Sequence, residues 1–278
     1  MTAPVTDQPR SRISVELVPR SVDAVRCDVE TVQNHLDDVD TINVPDLTKF
    51  ELTSWDACAV AREAAESYRT IPHIRARDLA PGEALPMLRV LDVAGIDEVL
   101  IVNGDSPLQQ PHRPAGVSTL EAIERLRREL PYVQVYAGLD PYRQAPIDEV
   151  RYAEQKFEAG ATGFFTQPFF DTALMGAWAQ MIPAAASVWW GATTVTSPGS
   201  LNYWQRANKV VFPADFESTL AWQRDYAERA MSVARTLGQH IYLMPVRVDL
   251  RDYLGGLLSP TGKNARPRDC DELLASTA

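Results

Sequence analysis

The chain has 278 residues and a formal net charge of −10, with 45% hydrophobic and 23% charged residues. This composition excludes global disorder, and the length suits one large α/β domain or two small ones. The excess of acidic residues argues against a protein that binds nucleic-acid phosphates or anionic membranes, because lysine and arginine supply that attraction. No apolar run approaches the roughly 18 residues of a membrane span, and residues 1–12 are expected to form a flexible lead-in without a signal-peptide core.

Cysteine and histidine content indicates neither a disulfide framework nor a metal site. Cys27, Cys58 and Cys270 are widely separated in sequence, and the four histidines lack the spacing of metal ligands. The sequence therefore predicts reduced thiols, a cytoplasmic location and no bound metal. It leaves the oligomeric state open, a homo-oligomer included.

Hydrophobic periodicity predicts strands and helices that alternate along the chain. Eight short strands are expected at Ile13–Val18, Thr41–Val44, Ile71–Ile74, Glu98–Val102, Val133–Ala137, Gly163–Thr166, Ser187–Trp190 and His240–Met244. Helical spacing covers Val22–Leu36, Ser54–Ser67, Leu85–Ala94, Thr119–Leu130, Ile147–Ala159 and Phe216–Leu237. Eight strands that alternate with helices favour a closed (β/α)8 TIM barrel. The absence of a glycine-rich dinucleotide fingerprint after the first strand weakens the open, doubly wound alternative.

No linker divides the chain, so residues 13–278 are predicted to form a single catalytic domain. Pro198-Gly199 and Pro213 are interpreted as loops, and the segment after Ser259 as an irregular tail.

Polar side chains occur where three of the predicted strands end. Glu16 lies in the first strand, Asp105 follows the fourth, and Gln167 leaves the apolar, aromatic sixth strand. Since the active site of such a barrel lies at the carboxyl ends of its strands, these groups are expected to converge. Gly104 would let the backbone before Asp105 approach a ligand closely.

Each of these residues also has a structural interpretation. Glu16 could form a strand-end salt bridge, although its apolar neighbours favour a general acid with a raised pKa. Asn103-Gly104-Asp105 could be a simple turn, and Gln167 could satisfy a loop carbonyl.

Four further features of the sequence can likewise be explained by either a structural or a functional role. Lys156 could be an ordinary exposed helical lysine, and His73 a hydrogen-bonded core histidine. Arg247 after the last strand could pair with a ligand carboxylate or with a neighbouring helix. Most members of the aromatic group formed by Trp189, Trp190, Tyr203, Trp204 and Phe212 are expected in the core, with one or two at the barrel mouth.

Four segments together resemble the methylenetetrahydrofolate reductase family in order and spacing. They are Ser14-Val-Glu-Leu-Val-Pro19, Pro72-His-Ile-Arg-Ala-Arg-Asp78, Val102-Asn-Gly-Asp-Ser-Pro107 and the most specific one, Lys156-Phe-Glu-Ala-Gly-Ala-Thr-Gly-Phe-Phe-Thr-Gln-Pro-Phe-Phe-Asp171. The resemblance implies a (β/α)8 barrel that reduces 5,10-methylenetetrahydrofolate to 5-methyltetrahydrofolate, usually through bound FAD.

The resemblance also implies roles for individual residues. Glu16 would donate a proton to the opening imidazolidine ring, and Asp105 would stabilise the cationic intermediate. The folate would be bound by Gln167, Tyr203 and Arg247. The cofactor cleft would be formed by His73, Asn103, Gly104, Tyr136 and Lys156.

The flavin-contacting segments depart from the family pattern. Asn43-Val-Pro-Asp-Leu-Thr48 replaces a Ser/Thr-Tyr-Gly type turn, Asn103 stands where an arginine is usual, and Gly138-Leu-Asp-Pro-Tyr-Arg143 lacks a Tyr-Pro-x-x-His arrangement. The sequence therefore favours direct hydride transfer from a nicotinamide dinucleotide, NADH rather than NADPH, with FAD as the alternative. A non-catalytic folate-binding barrel is the rival from another class.

Overall fold

Eight parallel strands form a closed barrel in which each strand pairs with the next and β8 pairs with β1. The computed structural model describes residues 11–36, 38–104, 116–255 and 257–258. The strands are β1 Ile13–Glu16, β2 Thr41–Val44, β3 Arg69–Arg75, β4 Glu98–Val102, β5 Gln134–Leu139, β6 Gly163–Pro168, β7 Ser187–Thr193 and β8 His240–Met244. All eight predicted strands are confirmed, and so is the (β/α)8 barrel.

Helices follow the strands around the outside of the barrel. Within the described residues they are α1 Val22–His35, α2 Ser54–Ala64, α3 Leu88–Ala94, α4 Thr119–Glu129, α5 Pro146–Glu158, α6 Thr172–Ala179, α7 Pro198–Arg206, α8 Leu220–Thr236 and α9 Leu250–Leu254. The interpretation of Pro198-Gly199 as a loop is wrong, because Pro198 begins α7. Ser197 caps that helix through a bond from the Ser200 N–H, and proline suits a first turn whose N–H groups have no helical partner.

Side chains alternate between two apolar layers because successive strand residues face opposite sides of the sheet. The barrel interior is filled by Ile71, Leu100, Tyr136, Phe165, Trp189, Tyr242 and Met244. A larger layer of valine, leucine, isoleucine and alanine lies between the sheet and the helices. Polar residues that share the inward register are therefore carried to the barrel axis.

A network of charged side chains closes the amino-terminal end of the barrel. Glu98, only 1% exposed, accepts hydrogen bonds from Arg12 at 2.7 and 3.0 Å and from Arg69 at 2.7 Å. The Tyr136 hydroxyl donates a further bond of 2.8 Å to Glu98. Arg12 also lies over the Trp189 ring at 4.8 Å, so this residue of the predicted lead-in packs against the barrel.

The cysteines do not all follow the prediction of reduced thiols. Cys58 is a free and buried thiol, whereas Cys27 is disulfide-bonded. The prediction is therefore wrong at Cys27; Cys270 lies outside the described residues, as does the predicted tail after Ser259. Across the described ranges, no group of three His, Cys, Asp or Glu side chains has the arrangement of a metal site. None of the described helices combines the length and apolar character needed to cross a bilayer.

Candidate functional site

A cavity of ≈ 990 Å³ opens at the carboxyl ends of the strands. This volume lies at the upper end of the range for small-molecule sites. Eight of the ten predicted site residues line it: Glu16, His73, Asn103, Gly104, Lys156, Gln167, Tyr203 and Arg247. The structure therefore brings together residues from β1, β3, β6, α5, α7 and the loops after β4 and β8.

The Glu16 carboxyl ends β1 at the wall of this cavity. Its Oε2 accepts a short hydrogen bond from the Tyr242 hydroxyl of β8. Burial raises the pKa of Glu16 to about 7, against the opposing effect of the Tyr242 bond. The side chain keeps some accessible surface because it faces the cavity. At neutral pH, Glu16 is therefore divided between acid and carboxylate.

Asn43 connects the neighbouring strands to the Glu16 site. Its Oδ1 accepts a bond of 2.6 Å from Ser14, and its Nδ2 lies 3.1 Å from Nε2 of His73. It also acts to lower the pKa of Tyr242, against the larger effect of burial. Burial lowers the pKa of His73 to about 3, so the ring is neutral and its Nε2 can accept. His73 is thus a hydrogen-bonded histidine that also lines the cavity.

An irregularity in β6 directs Gln167 into the cavity. The register between β6 and β7 shifts between Phe165 and Pro168, and Gln167 is exposed although its strand neighbours are buried. The Thr166 hydroxyl accepts a 2.9 Å bond from the Gly191 N–H across this irregularity. A Cβ at Gly191 would lie 2.8 Å from the Thr166 carbonyl oxygen, so a glycine is needed there.

Lys156 is a buried amine, only 2% exposed, and not the exposed helical lysine of its structural interpretation. Its Nζ donates to the Gly138 carbonyl at 2.6 Å and lies 4.0 Å from the centre of the Tyr152 ring. Burial lowers its pKa to about 8, while the charge of Glu149, 3.8 Å away, raises it.

Glu149 is the centre of the polar cluster beside Lys156. Its carboxylate accepts bonds of 2.5 Å from Arg143, 2.9 Å from Gln144 and 3.1 Å from the Asp140 N–H. The two cations at this side of the cavity, Lys156 and Arg143, therefore share a single buried counter-ion.

The backbone after β8 holds Arg247 in an unusual conformation. Arg247 has φ 56°, in the left-handed region that costs a non-glycine residue about 1 kcal/mol. Thr194 fixes the preceding residue, since its hydroxyl donates to the Val246 carbonyl at 2.8 Å and accepts from the Val246 N–H at 2.9 Å. These bonds hold the turn that places Arg247 at the cavity rim.

The methylenetetrahydrofolate reductase family model matches residues 22–242. The chain belongs to this family. The match runs from the first helix into the last strand, while Glu16 of β1 and Arg247 after β8 lie outside the matched residues. A search of curated proteins returned no match.

Solved structures share the barrel at low identity. An uncharacterised protein from Clostridium thermocellum that binds two copies of 5-methyl-5,6,7,8-tetrahydrofolic acid aligns with a TM-score of 0.62 and 13% identity. The alignment covers 90% of this chain and 94% of that chain. The carboxyl transferase domain of Rhizobium etli pyruvate carboxylase aligns with a TM-score of 0.49 and 11% identity, over 85% of this chain and 40% of that one.

Two residues assigned from the family resemblance remain. Asp105 lies outside the described residues. Tyr136 is 2% exposed within the barrel, where it bonds Glu98, and it does not line the cavity. Gly104 lines the cavity, and its φ of 86° and its closeness to Arg75 explain the glycine: a Cβ there would lie 3.1 Å from the Arg75 Nε.

The sequence analysis did not identify three polar residues that lie in or beside the cavity. Asn43 and Tyr242 form the network behind Glu16, and Arg75 lines the cavity at the end of β3 with a 4% exposed side chain. Arg75 lies two residues after His73, so strand alternation alone places both on the same face. That spacing was the available signal for Arg75.

The aromatic group divides as expected between core and mouth. Trp189 fills the barrel interior and Trp190 packs in the outer layer. Tyr203 and Trp204 of α7 line the cavity, and Tyr203 is 57% exposed. Phe212 packs on Phe170 with ring centres 4.6 Å apart. An exposed tyrosine at the mouth offers a surface for a flat ring.

Proposed function

We propose that this chain reduces 5,10-methylenetetrahydrofolate to 5-methyltetrahydrofolate with a hydride taken directly from NADH. The observation that supports this proposal most is the environment of Glu16. Its carboxyl has a pKa of about 7 and lines a cavity large enough for a reduced folate and a nicotinamide. A general acid works best when its pKa is near the working pH. Membership of the family supplies the substrate class.

Glu16 is the proton donor in the proposed reaction. Opening the imidazolidine ring breaks a C–N bond, and the departing nitrogen takes its proton from the neutral carboxyl. The exocyclic carbon becomes an iminium ion, which then accepts the hydride to form the methyl group while NADH becomes NAD⁺. Asp105 remains the predicted carboxylate that stabilises this cation electrostatically.

Gln167, Tyr203 and Arg247 are proposed to bind the folate. Gln167 offers a donor and an acceptor to the pterin edge, and its exposure into the cavity supports this role. Tyr203 offers a ring for stacking, and Arg247 a guanidinium for the carboxylates of the glutamate tail.

The polar side of the cavity supports a transiently bound dinucleotide better than a resident flavin. FAD and NADH both carry a diphosphate, but only a permanently bound cofactor needs strong cationic contacts to it. On this side of the cavity Lys156 and Arg143 both pair with Glu149, and Asn103 is neutral. His73, Asn103, Gly104 and Lys156 are therefore proposed to contact the nicotinamide dinucleotide. Tyr136 has no assigned part, because the structure places it away from the cavity.

Absorbance and turnover of the purified protein test this proposal together. We expect no flavin band and oxidation of NADH that depends on methylenetetrahydrofolate, with a lower rate for NADPH. Addition of FAD should leave the rate unchanged. A stoichiometric flavin band that NADH bleaches and the folate restores would replace the direct transfer by a flavin mechanism.

A folate-binding barrel without redox activity is the second candidate. The folate-bound Clostridium thermocellum protein supports it, since that protein binds two copies of 5-methyltetrahydrofolate. Titration calorimetry with this folate separates the candidates: a reductase should bind one product molecule and turn over, whereas the binding protein should bind without turnover.

A cytoplasmic location remains a proposal, and the disulfide at Cys27 is more typical of oxidising compartments.

A further inference from the structure

The hydrogen bond between Tyr242 and Glu16 has a defined direction. Within the described residues, the acceptor that the Tyr242 hydroxyl reaches is Oε2 of Glu16, so the phenol donates its proton to that oxygen. Asn43 acts to lower the pKa of Tyr242, which is the effect of a group that favours the phenol oxygen as an acceptor. The amide oxygen of Asn43 already accepts from the Ser14 hydroxyl.

This direction decides which oxygen of Glu16 carries the acid proton. A proton on Oε2 would face the Tyr242 proton, and the phenol would have to turn away from Oε2, its acceptor among the described residues. We propose that Tyr242 is a positioning residue that confines the acid proton of Glu16 to Oε1 and so orients the proton donor. The proposal rests on the proposed function, in which Glu16 is the acid.

The surroundings of Tyr242 show that its ring is fixed. It packs on Phe165 with ring centres 5.3 Å apart and on His73 at 6.4 Å, both edge to face. Burial raises the pKa of Tyr242 far above its usual value, so the hydroxyl keeps its proton across the working pH range. The phenol therefore donates its proton to Glu16 throughout this pH range. Loss of this hydrogen bond should raise the pKa of Glu16.

Other titratable or charged groups line the same cavity on several elements. They are Asp46 and Lys49 after β2, His73 and Arg75 on β3, Asp140 and Arg143 after β5, Tyr152 and Lys156 on α5, Tyr203 on α7 and Arg247 after β8. Burial keeps His73 neutral, and the Tyr242→Phe substitution leaves all of these groups in place. A change in the titration of Glu16 in that variant therefore reports on the hydroxyl.

The first experiment follows the Glu16 carboxyl in the ligand-free protein, by ¹³C NMR with Glu16→Gln to assign the signal. Tyr242→Phe should raise its pKa by about one unit, because a hydrogen bond to a charged acceptor is lost. Tyr136→Phe is the matched control, since it removes a tyrosine bond to another buried carboxylate, Glu98, and should leave Glu16 unchanged. An unchanged pKa in Tyr242→Phe overturns the proposal.

Turnover gives a second readout that a merely structural role would not produce. In Tyr242→Phe, we expect kcat to fall about tenfold with little change in the folate KM, and the alkaline limb of the kcat profile to move up with the pKa of Glu16. A fall in kcat with an unmoved limb counts against the proposal.

3-Fluorotyrosine at position 242 covers the case in which Tyr242→Phe does not fold. It keeps the hydroxyl and nearly the same bulk, and its more acidic phenol donates a stronger bond, so the pKa of Glu16 should fall. A rise or no change overturns the proposal. The variants and the parent protein could all fail to turn over methylenetetrahydrofolate while the pKa of Glu16 shifts as expected. That result would refute the proposed reaction but support the role of Tyr242 in orienting the Glu16 proton.

Discussion

The two ends of the barrel each hold a buried glutamate, and the two differ in their partners. At the amino-terminal end, Glu98 accepts from Arg12, Arg69 and Tyr136. Burial alone would raise its pKa, but these bonds and charges hold the pKa of Glu98 below the usual value. At the carboxyl end, Glu16 bonds the neutral phenol of Tyr242, and burial raises its pKa to about 7.

This contrast separates a structural carboxylate from one suited to proton transfer. Cationic donors keep Glu98 ionised and tie β3 and β4 to the segment before β1, so its charge is part of the fold. Glu16 can gain and lose a proton near neutral pH because, among the described residues, its carboxyl pairs with a neutral phenol and with no cation. Burial is common to both residues, and the neighbouring charge decides the role.

The largest expected effect is the loss of turnover in Glu16→Gln. The amide keeps the size of the side chain but cannot give up a proton, so kcat for methylenetetrahydrofolate reduction should fall at least 100-fold, within the usual range for a lost general acid. Folate binding measured by calorimetry should change little. Turnover close to that of the parent protein would refute the acid role of Glu16. The two glutamates would then no longer differ in function.

Glu98→Gln should produce the next largest effect, on stability instead of chemistry. Removing this charge leaves Arg12 and Arg69 without their shared counter-ion, and breaking a buried pair costs up to 3–5 kcal/mol. Because Arg69 is 43% exposed and Arg12 18%, water can solvate part of the charge, and we expect a loss of about 2–3 kcal/mol. Urea unfolding at pH 7 measures it.

The control for Glu98→Gln is Glu16→Gln in the same unfolding experiment. That variant should be as stable as the parent protein or more so, since it replaces a desolvated acid by a neutral amide. Equal losses in the two variants would mean that the two ends of the barrel are energetically alike.

The pH dependence of stability should have opposite signs at the two residues. The folded pKa of Glu16, about 7, lies above its ordinary value of 4.5, so its contribution is fully present below pH 4.5 and is lost as pH rises through 7. For Glu98, with a lowered pKa, stability is present above its ordinary value and lost as pH falls through the folded pKa.

Unfolding free energies of the parent protein and Glu16→Gln from pH 5 to pH 8 measure the Glu16 part. The parent protein should lose about 2 kcal/mol relative to the variant, less than the full pKa difference implies because the side chain faces a cavity. Parallel curves would show that Glu16 titrates alike in the folded and unfolded states.

The strands were predictable because parallel strands buried on both faces are continuous apolar runs. The helices α6, α7 and α9 were not predicted, each for a physical reason. The segment of α6, Thr172–Ala179, is apolar around most of its circumference and shows no amphipathic stripe. Pro198 was interpreted as a breaker although it suits a helix start, and α9 has only five residues.

The site residues found from the sequence were those that break a local pattern. Glu16 and Gln167 are polar side chains within apolar strands, and both line the cavity. Asn43 and Tyr242 do not stand out from the residues around them in sequence. Their role arises from hydrogen bonds to residues on other strands, 30 residues away for Asn43 and 226 for Tyr242. Barrel closure between β1 and β8 creates the bond from Tyr242 to Glu16, and no short sequence window contains it.

Tyr136→Phe is the smallest expected change and the sharpest test of the contrast between the two ends. The substitution removes one neutral donor from Glu98 and leaves both arginines, so we expect a loss of about 1 kcal/mol in urea unfolding. Because Tyr136 does not line the cavity, kcat and the KM for NADH should stay at their parent values. A raised KM for NADH would instead support the cofactor contact implied by the family resemblance, and it would show that the amino-terminal network influences the site. Unchanged kinetics with a measurable loss of stability would assign Tyr136, like Glu98, to the fold alone.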